Sequence, residues 1–329
     1  MEEKKALITG GCGFIGSHLV DFLLSKNYSV VNCDKLTYAA NKNKNIIEKT
    51  NSSYKLVEID ITESNSVEQL IEKHKFDFVF NLAAETHVDN SISDPNQFLQ
   101  TNVIGTYNLL KICQKFISNN VLSKDFRYLQ ISTDEVYGTL KLGDPAFTEK
   151  SQIQPNSPYS ATKASADLLV RAWVKTYKFP AIITRCSNNY GPRQNEEKLI
   201  PKVINCCLTN KPIPVYGDGL QIRDWIYVLD HVKGIMCAAE KGKIGEVYNF
   251  GGDLELTNIE LIKKIIQTFS ILTGKPSEEL ELLIQYVEDR LGHDTRYAVN
   301  SELATTTLRW SAETLFETGI INTIKSYLP

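Results

Sequence analysis

TGGCGFIGS, residues 9–17, is the stretch that decides the fold of this chain. The apolar run 5–9 (KALIT) leads into it, Gly10, Gly13 and Gly16 recur at every third position, and residues 16–24 leave it with helical spacing. Glycine permits positive φ in a tight strand-to-helix turn and lets a pyrophosphate approach the backbone. The N-terminus of the helix that follows adds free N–H groups and a positive dipole, which suit an anion. A tight turn alone could require the same glycines, so the pattern gains its meaning from what surrounds it. Residues 28–33 (YSVVNC) read as a second strand, and Asp34 stands at its end. An acid there accepts hydrogen bonds from an adenosine ribose and repels a 2′-phosphate, which favours NAD over NADP.

Residues 55–60, 77–82, 127–131 and 180–185 repeat the strand pattern, with helix-capable segments between them. Alternating strands and helices predict a parallel sheet covered on both faces, an α/β Rossmann-type doubly wound fold. Beyond residue 186 the texture changes to turns and polar clusters (YGPRQNEEKLIP, KPIPVYGDG, RLGHDTRY) between shorter helices. We expect an NAD-binding unit over 1–186, a smaller mixed α/β lobe for substrate over 187–329, and a return to the main sheet by Asp224–Leu229 and Glu246–Phe250.

Composition excludes some classes of function. The 329 residues are 42% hydrophobic and 23% charged, with 36 Lys and Arg against 39 acids. That balance gives no basic field for nucleic acid or a membrane surface. The seven cysteines form no C-x-x-C pair and have no ligand-like spacing with the five histidines, so they read as reduced, buried small hydrophobes, with no structural metal. The first residues carry no apolar signal region, and no run approaches the length of a membrane span. A cytoplasmic protein is expected.

Three further stretches carry chemistry. NLAAET, residues 81–86, ends the fourth strand with Leu82 and the small Ala83 and Ala84, which leave room for a cofactor, and Asp60 and Ile61 end the third. ISTDEVYG, residues 131–138, places Asp134 and Glu135 side by side after a strand, where a solvated loop or a helix N-terminus would also explain two acids. SPYSATKASADLLV, residues 157–170, sets Tyr159 and Lys163 at i and i+4 on one helix face. A tyrosine base needs a nearby cation at neutral pH, and Lys163 or an oxidised nicotinamide could supply it.

TGGCGFIGS, Asp34, NLAAETHVD, STDEVYG, YSATK and SNNYGP occur in the order found in extended short-chain dehydrogenases. The chain resembles the dTDP-glucose 4,6-dehydratases and their UDP-glucose-using relatives, from the first strand to about residue 297. The acid pair in STDEVYG is the most specific element. The resemblance implies oxidation of a nucleotide-linked glucose at carbon 4 by Tyr159 with Lys163 and Thr133. Elimination of water across carbons 5 and 6 by Glu135 as base and Asp134 as acid follows, then return of hydride to carbon 6, with NAD tightly bound and regenerated. It adds Phe14, Ile15, Lys35, Leu36, Thr37, Thr101, Cys186 and Asn189 to the cofactor site. It assigns substrate contacts to Thr86, Thr133, Asn188, Glu197, Lys198, Leu199, Pro214, Tyr216, Arg223, Asn258, Arg290, His293 and Tyr297. It also implies a homodimer built from the Tyr159 helix and the helix near Asn102–Phe116. Leu291 in place of a proline, the extra acid Glu196 and the short segment Leu140–Asn156 depart from the bacterial pattern. The first two lie near the nucleotide, which leaves thymine against uracil open. Two rival readings stand beside this one: a nucleotide-sugar epimerase or decarboxylase, which shares Tyr159 and Lys163 without needing Asp134, and a catalytically silent NAD-binding regulator.

Overall fold

The structure of the protein is a computed structural model that describes residues 3–40 and 51–328. Its frame is a seven-stranded sheet of β1 (Lys5–Thr9), β2 (Ser29–Asp34), β3 (Tyr54–Glu58), β4 (Phe78–Asn81), β5 (Arg127–Thr133), β6 (Ala181–Cys186) and β10 (Val247–Phe250). The strand order is β3-β2-β1-β4-β5-β6-β10, and every pairing is parallel. Helices α1 (Phe14–Ser25) and α6 (Val228–Lys241) cover one face, while α2 (Ser64–Lys73), α3 (Thr106–Ser118) and α4 (Pro158–Tyr177) cover the other. Because both faces are covered, central strands such as β4 and β6 are buried along their whole length. Leu19, Leu23 and Ile235 fill one side of the core and Leu70, Leu109 and Val170 the other.

A smaller sheet is centred on β9 (Ile222–Tyr227), which pairs with β7 (Asn188–Tyr190) and β13 (Arg296–Tyr297) in parallel and with β11 (Glu255–Thr257) antiparallel. Beside it β8 (Ile213–Tyr216) pairs with β12 (Ile284–Val287). Helices α5 (Leu199–Thr209), α7 (Asn258–Thr273) and α8 (Phe316–Lys325) close a separate apolar core around Ile204, Ile265, Phe269 and Ile320.

Two expectations require correction. Of the segments expected to return to the main sheet, only β10 does; Asp224–Tyr227 belongs to the smaller sheet and Val228 opens α6. The difference lies in polar side chains. Asp224 is buried and accepts N–H groups from Gly252 and Leu254, in the segment that leads from β10 into β11, the strand Asp224 pairs with. The third strand ends at Glu58, so Asp60 falls in a turn, where its Oδ1 accepts the Thr62 N–H. The helix-capable segment between β2 and β3 lies largely outside the described residues.

Candidate active site

The glycine turn at the end of β1 is built for close approach. Gly10 has φ 74°, and a Cβ on it would come within 2.8 Å of the Ala83 backbone; a Cβ on Gly16 would sit 2.2 Å from the Gly10 carbonyl oxygen. Gly13 differs, with φ −75° and one neighbour, the Gly10 carbonyl oxygen, at 3.3 Å, so its missing side chain leaves the approach to the turn less obstructed than at Gly10 or Gly16. No side chain caps α1, which leaves its first-turn N–H groups to an anion. Asp34 takes one backbone N–H on each oxygen, from Cys12 and Leu36, and keeps further lone pairs for ribose hydroxyls.

A single cleft runs from this turn across the ends of β1, β4, β5 and β6. Phe14, Ile15, Thr37, Ile61 and Leu82 to Ala84 line its first half, and Cys186, Asn188 and Asn189 lie farther along. Lys35 spans the floor, donating to Thr101 at 3.1 Å and pairing with Glu85 at 2.9 Å, with Asp60 at 3.8 Å. Leu36 does not line the cleft; its contribution is the backbone N–H to Asp34. Glu85 was not foreseen, although it lies within NLAAET, because its partner Lys35 is brought to it only by the pairing of β1 between β2 and β4.

At the far end the acid pair opens a short 3-10 helix, Asp134–Tyr137. Thr133 is its cap, accepting the Glu135 N–H at 3.3 Å, so neither acid is needed for capping. Asp134 is 1% exposed: Oδ1 accepts from the Thr133 hydroxyl at 3.3 Å, and Oδ2 has no partner among the described residues. That burial excludes the solvated-loop reading. Desolvation drives the Asp134 carboxyl well above its usual range, and Glu135 and Asp224 push it further. Glu135 is also raised by burial, but Lys198, Arg223 and Arg290 pull the other way. The two acids therefore sit in unlike surroundings, one among carboxylates and one facing cations, and this separates their proton affinities.

Ser157 and Ser160 form a capping box that starts α4, and Pro158 occupies its first turn. Ser91 accepts the Tyr159 N–H and Phe98 meets the Tyr159 ring edge-on, fixing the phenol near Thr133. Burial and then Glu135 raise the Tyr159 hydroxyl well above its usual range, against a hydrogen bond with Thr133. Lys163 donates to the Ile131 carbonyl at 2.7 Å, and burial lowers its pKa. The expectation that Lys163 favours phenolate is thus outweighed by desolvation in the protein alone, where Tyr159 keeps its proton.

Thr86, Glu197 and Lys198 also line the cleft, and Lys198 donates to the Thr86 carbonyl at 2.9 Å. Leu199, Pro214, Tyr216, Arg223, Asn258, Arg290, His293 and Tyr297 do not line it. Most of them form a second group in the smaller lobe. Arg290 lies over the Tyr216 ring at 4.7 Å and Arg223 over Tyr297 at 4.3 Å, while His293 contacts Asp289 at 2.6 Å and Asn258 donates to Gln221 at 3.4 Å. The charges of both arginines reach Glu135. Among the described residues no group of three or more His, Cys, Asp or Glu side chains could hold a metal, and no helix is long and apolar enough to cross a membrane.

A parallel Rossmann sheet with a glycine turn, a ribose-side acid and a Tyr-x-x-x-Lys helix defines the class as an extended short-chain dehydrogenase/reductase. Residues 7–323 match the family model described as GDP-mannose 4,6 dehydratase. The chain is 46% identical to the dTDP-glucose 4,6-dehydratase of Haemophilus influenzae over 328 residues, covering 98% of this chain and 97% of that one. It superposes on the dTDP-glucose 4,6-dehydratase of Bacillus anthracis in complex with NAD with TM-score 0.85 at 40% identity, covering 98% and 96% of the two chains. The Thermotoga maritima UDP-glucose 4-epimerase, at 27% identity, reaches TM-score 0.85 with 98% of each chain covered. The chain belongs to the dTDP-glucose 4,6-dehydratase family.

Proposed function

We propose that this protein dehydrates dTDP-glucose to the 4-keto-6-deoxy sugar nucleotide, with NAD held along the glycine turn and Asp34. The observation that carries this reading is the acid pair: Asp134 is buried with one oxygen unpartnered, next to Glu135, on the same cleft as Tyr159 and Lys163. An epimerase needs no such pair, so the shared fold of the epimerase neighbour does not favour that rival. Gly13 and the uncapped start of α1 fit a pyrophosphate, and Asp34 fits an unphosphorylated ribose.

The glycine turn and Asp34 would hold NAD, whose nicotinamide would supply a hydride acceptor for carbon 4 and a hydride donor for carbon 6. Tyr159, as the phenolate that a bound oxidised nicotinamide and the Lys163 ammonium one helical turn away would together favour, accepts the proton of the 4-hydroxyl during that oxidation. The resulting ketone acidifies the hydrogen on carbon 5. Glu135, which cations stabilise as a carboxylate, takes that proton, and Asp134, which burial keeps protonated, gives its proton to the leaving 6-hydroxyl. Water departs, and Glu135 can then restore the proton at carbon 5. Arg223, Arg290 and Lys198 suit the diphosphate side of the substrate.

The names of the relatives favour thymine over uracil. We assign the cofactor to residues 1–186 with β10 and the nucleotide sugar to the lobe of 187–329, and we place the enzyme in the cytoplasm, where the free thiols found at all seven cysteines suit a reducing environment. Exposed apolar side chains on the α3 and α4 side, including Leu168 at 50% and Tyr177 at 53%, suit a homodimer. Parallel kinetics with dTDP-glucose and UDP-glucose test the reading: we expect the 4-keto-6-deoxy product without net cofactor consumption and a higher kcat/KM for dTDP-glucose. A product retaining its 6-hydroxyl would overturn it.

A further inference from the structure

Arg185 is a charged residue in the last-but-one position of a fully buried strand, where parallel sheets normally place Val, Ile or Leu. Its side chain is 4% exposed, and its Nε donates at 2.9 Å to Asp167, whose side chain is 0% exposed. Taking two charges out of water is expensive, and a buried pair is often no more stabilising than apolar residues of the same size. Packing alone therefore gives little reason for the pair, and its position suggests another.

Asp167 lies one turn beyond Lys163 on α4, so it belongs to the helix that presents Tyr159. Arg185 lies in register with Ser132 of β5 on one side and Asn249 of β10 on the other. Its guanidinium stacks on the ring of Tyr137 at 4.8 Å, and the Tyr137 hydroxyl donates to Asn249 at 2.8 Å. Tyr137 closes the 3-10 turn that Asp134 and Glu135 open. The chain of contacts thus runs from the helix of the oxidation residues, through one ion pair, to the turn of the elimination residues.

Resting on the dehydratase reading above, we propose that Asp167 and Arg185 are positioning residues that lock α4 to the Asp134–Tyr137 turn. Tyr159 and the acid pair then address carbons 4, 5 and 6 of one sugar in one pose. Neither residue lines the cleft. Their effect passes through Tyr137, whose stacked ring and hydroxyl hold the last residue of the turn at two points.

The test replaces the pair by apolar residues, Arg185→Met with Asp167→Leu, which removes both charges together; because Asp167 also acts on Lys163 and Arg185 on Glu149, the pH profile of kcat is read beside the rate, and a positioning role predicts a lower plateau with no displaced pH limb. We expect a melting temperature close to the parent's, an unchanged KM for dTDP-glucose and a kcat lower by about 10²-fold, the size of effect a displaced catalytic group produces. Reduced nicotinamide should accumulate in a single turnover, because oxidation outlasts elimination. Hydrogen exchange in the peptide covering residues 132–138 should quicken independently of any activity. A folded double variant with kcat within about twofold of the parent's would overturn the proposal. Should the double variant fail to fold, Tyr137→Phe decides: it keeps the ring and loses only the hydroxyl, and a fall in kcat at constant KM supports the inference while parental kcat overturns it. Failure of the dehydratase reading itself is distinct, since the parent would then form no 6-deoxy product, whereas this inference concerns the difference between parent and variant.

Discussion

Asp134 lies deeper in the protein than catalysis by an exposed acid would require, and its burial has consequences for both rate and stability. Asp134→Asn keeps the shape and removes the transferable proton. Elimination should slow by about 10²- to 10⁴-fold while the first oxidation persists, so that reduced nicotinamide accumulates on the enzyme in a single-turnover absorbance experiment. Tyr159→Phe should suppress that signal, because oxidation loses its base. The same Asp134→Asn change should raise the melting temperature at neutral pH. A carboxyl whose folded pKa is raised binds a proton in the folded state that the unfolded chain has already released, so stability falls as pH rises above about 4. Removing the group removes that loss, and the advantage of the variant should shrink as the pH of the melting scan is lowered toward 4. Asp224, pushed up to about 6 by burial, acts with the same sign between pH about 4 and about 6.

At the scale of the element, the glycine turn separates two roles that look identical in the sequence. Gly16→Ala would drive a methyl group to 2.2 Å from the Gly10 carbonyl oxygen, a backbone atom that cannot swing aside. We expect it to destabilise the ligand-free chain by about 1–3 kcal/mol or more, visible as a lowered denaturation midpoint. Gly13→Ala brings its methyl group to 3.3 Å from the same carbonyl oxygen at an ordinary φ, a far milder contact, so the ligand-free melting temperature should fall much less than in Gly16→Ala. NAD affinity measured by calorimetry should nevertheless fall, because the methyl group occupies the approach of the pyrophosphate. Equal melting temperatures for the two variants would contradict this division.

Over the whole molecule, the helices that position the chemistry also carry the face we assign to the dimer. Leu168 points outward from α4, nine residues from Tyr159 and so on the face opposite it, Tyr177 is exposed at the last residue of that helix, and Ile104 and Tyr107 are exposed where the chain enters α3. Leu168→Glu combined with Ile104→Glu should shift the mass measured by light scattering from twice the chain to once the chain. A parent that is monomeric at assay concentration would exclude the dimer. The surroundings of Glu135 also draw on both sheets, since it stands in the turn that follows β5 while the cations that temper it, Arg223 and Arg290, come from the smaller lobe.

The sequence by itself determined the parallel sheet, because strand and helix periodicities alternate along it, and the cofactor end of the site, because a glycine turn, its helix and the acid closing the next strand are neighbours in the chain. It also presented Tyr159, Lys163 and the acid pair, each a local motif. Tertiary structure alone decided the rest. The close packing of Gly10 depends on Ala83, distant in sequence from the turn, and the division between Gly13 and Gly16 depends on where the folded turn aims the Gly10 carbonyl oxygen. Whether two adjacent acids share a solvated loop or an enclosed site depends on the walls around them, and the buried walls are what raise the Asp134 carboxyl above its usual range. The placing of β9 in the smaller sheet follows from backbone donors near Gly252 that no periodicity reveals. The Arg185–Asp167 pair was invisible for the same reason: a buried charge needs its partner within hydrogen-bond reach, and only packing α4 against β6 brings the two together.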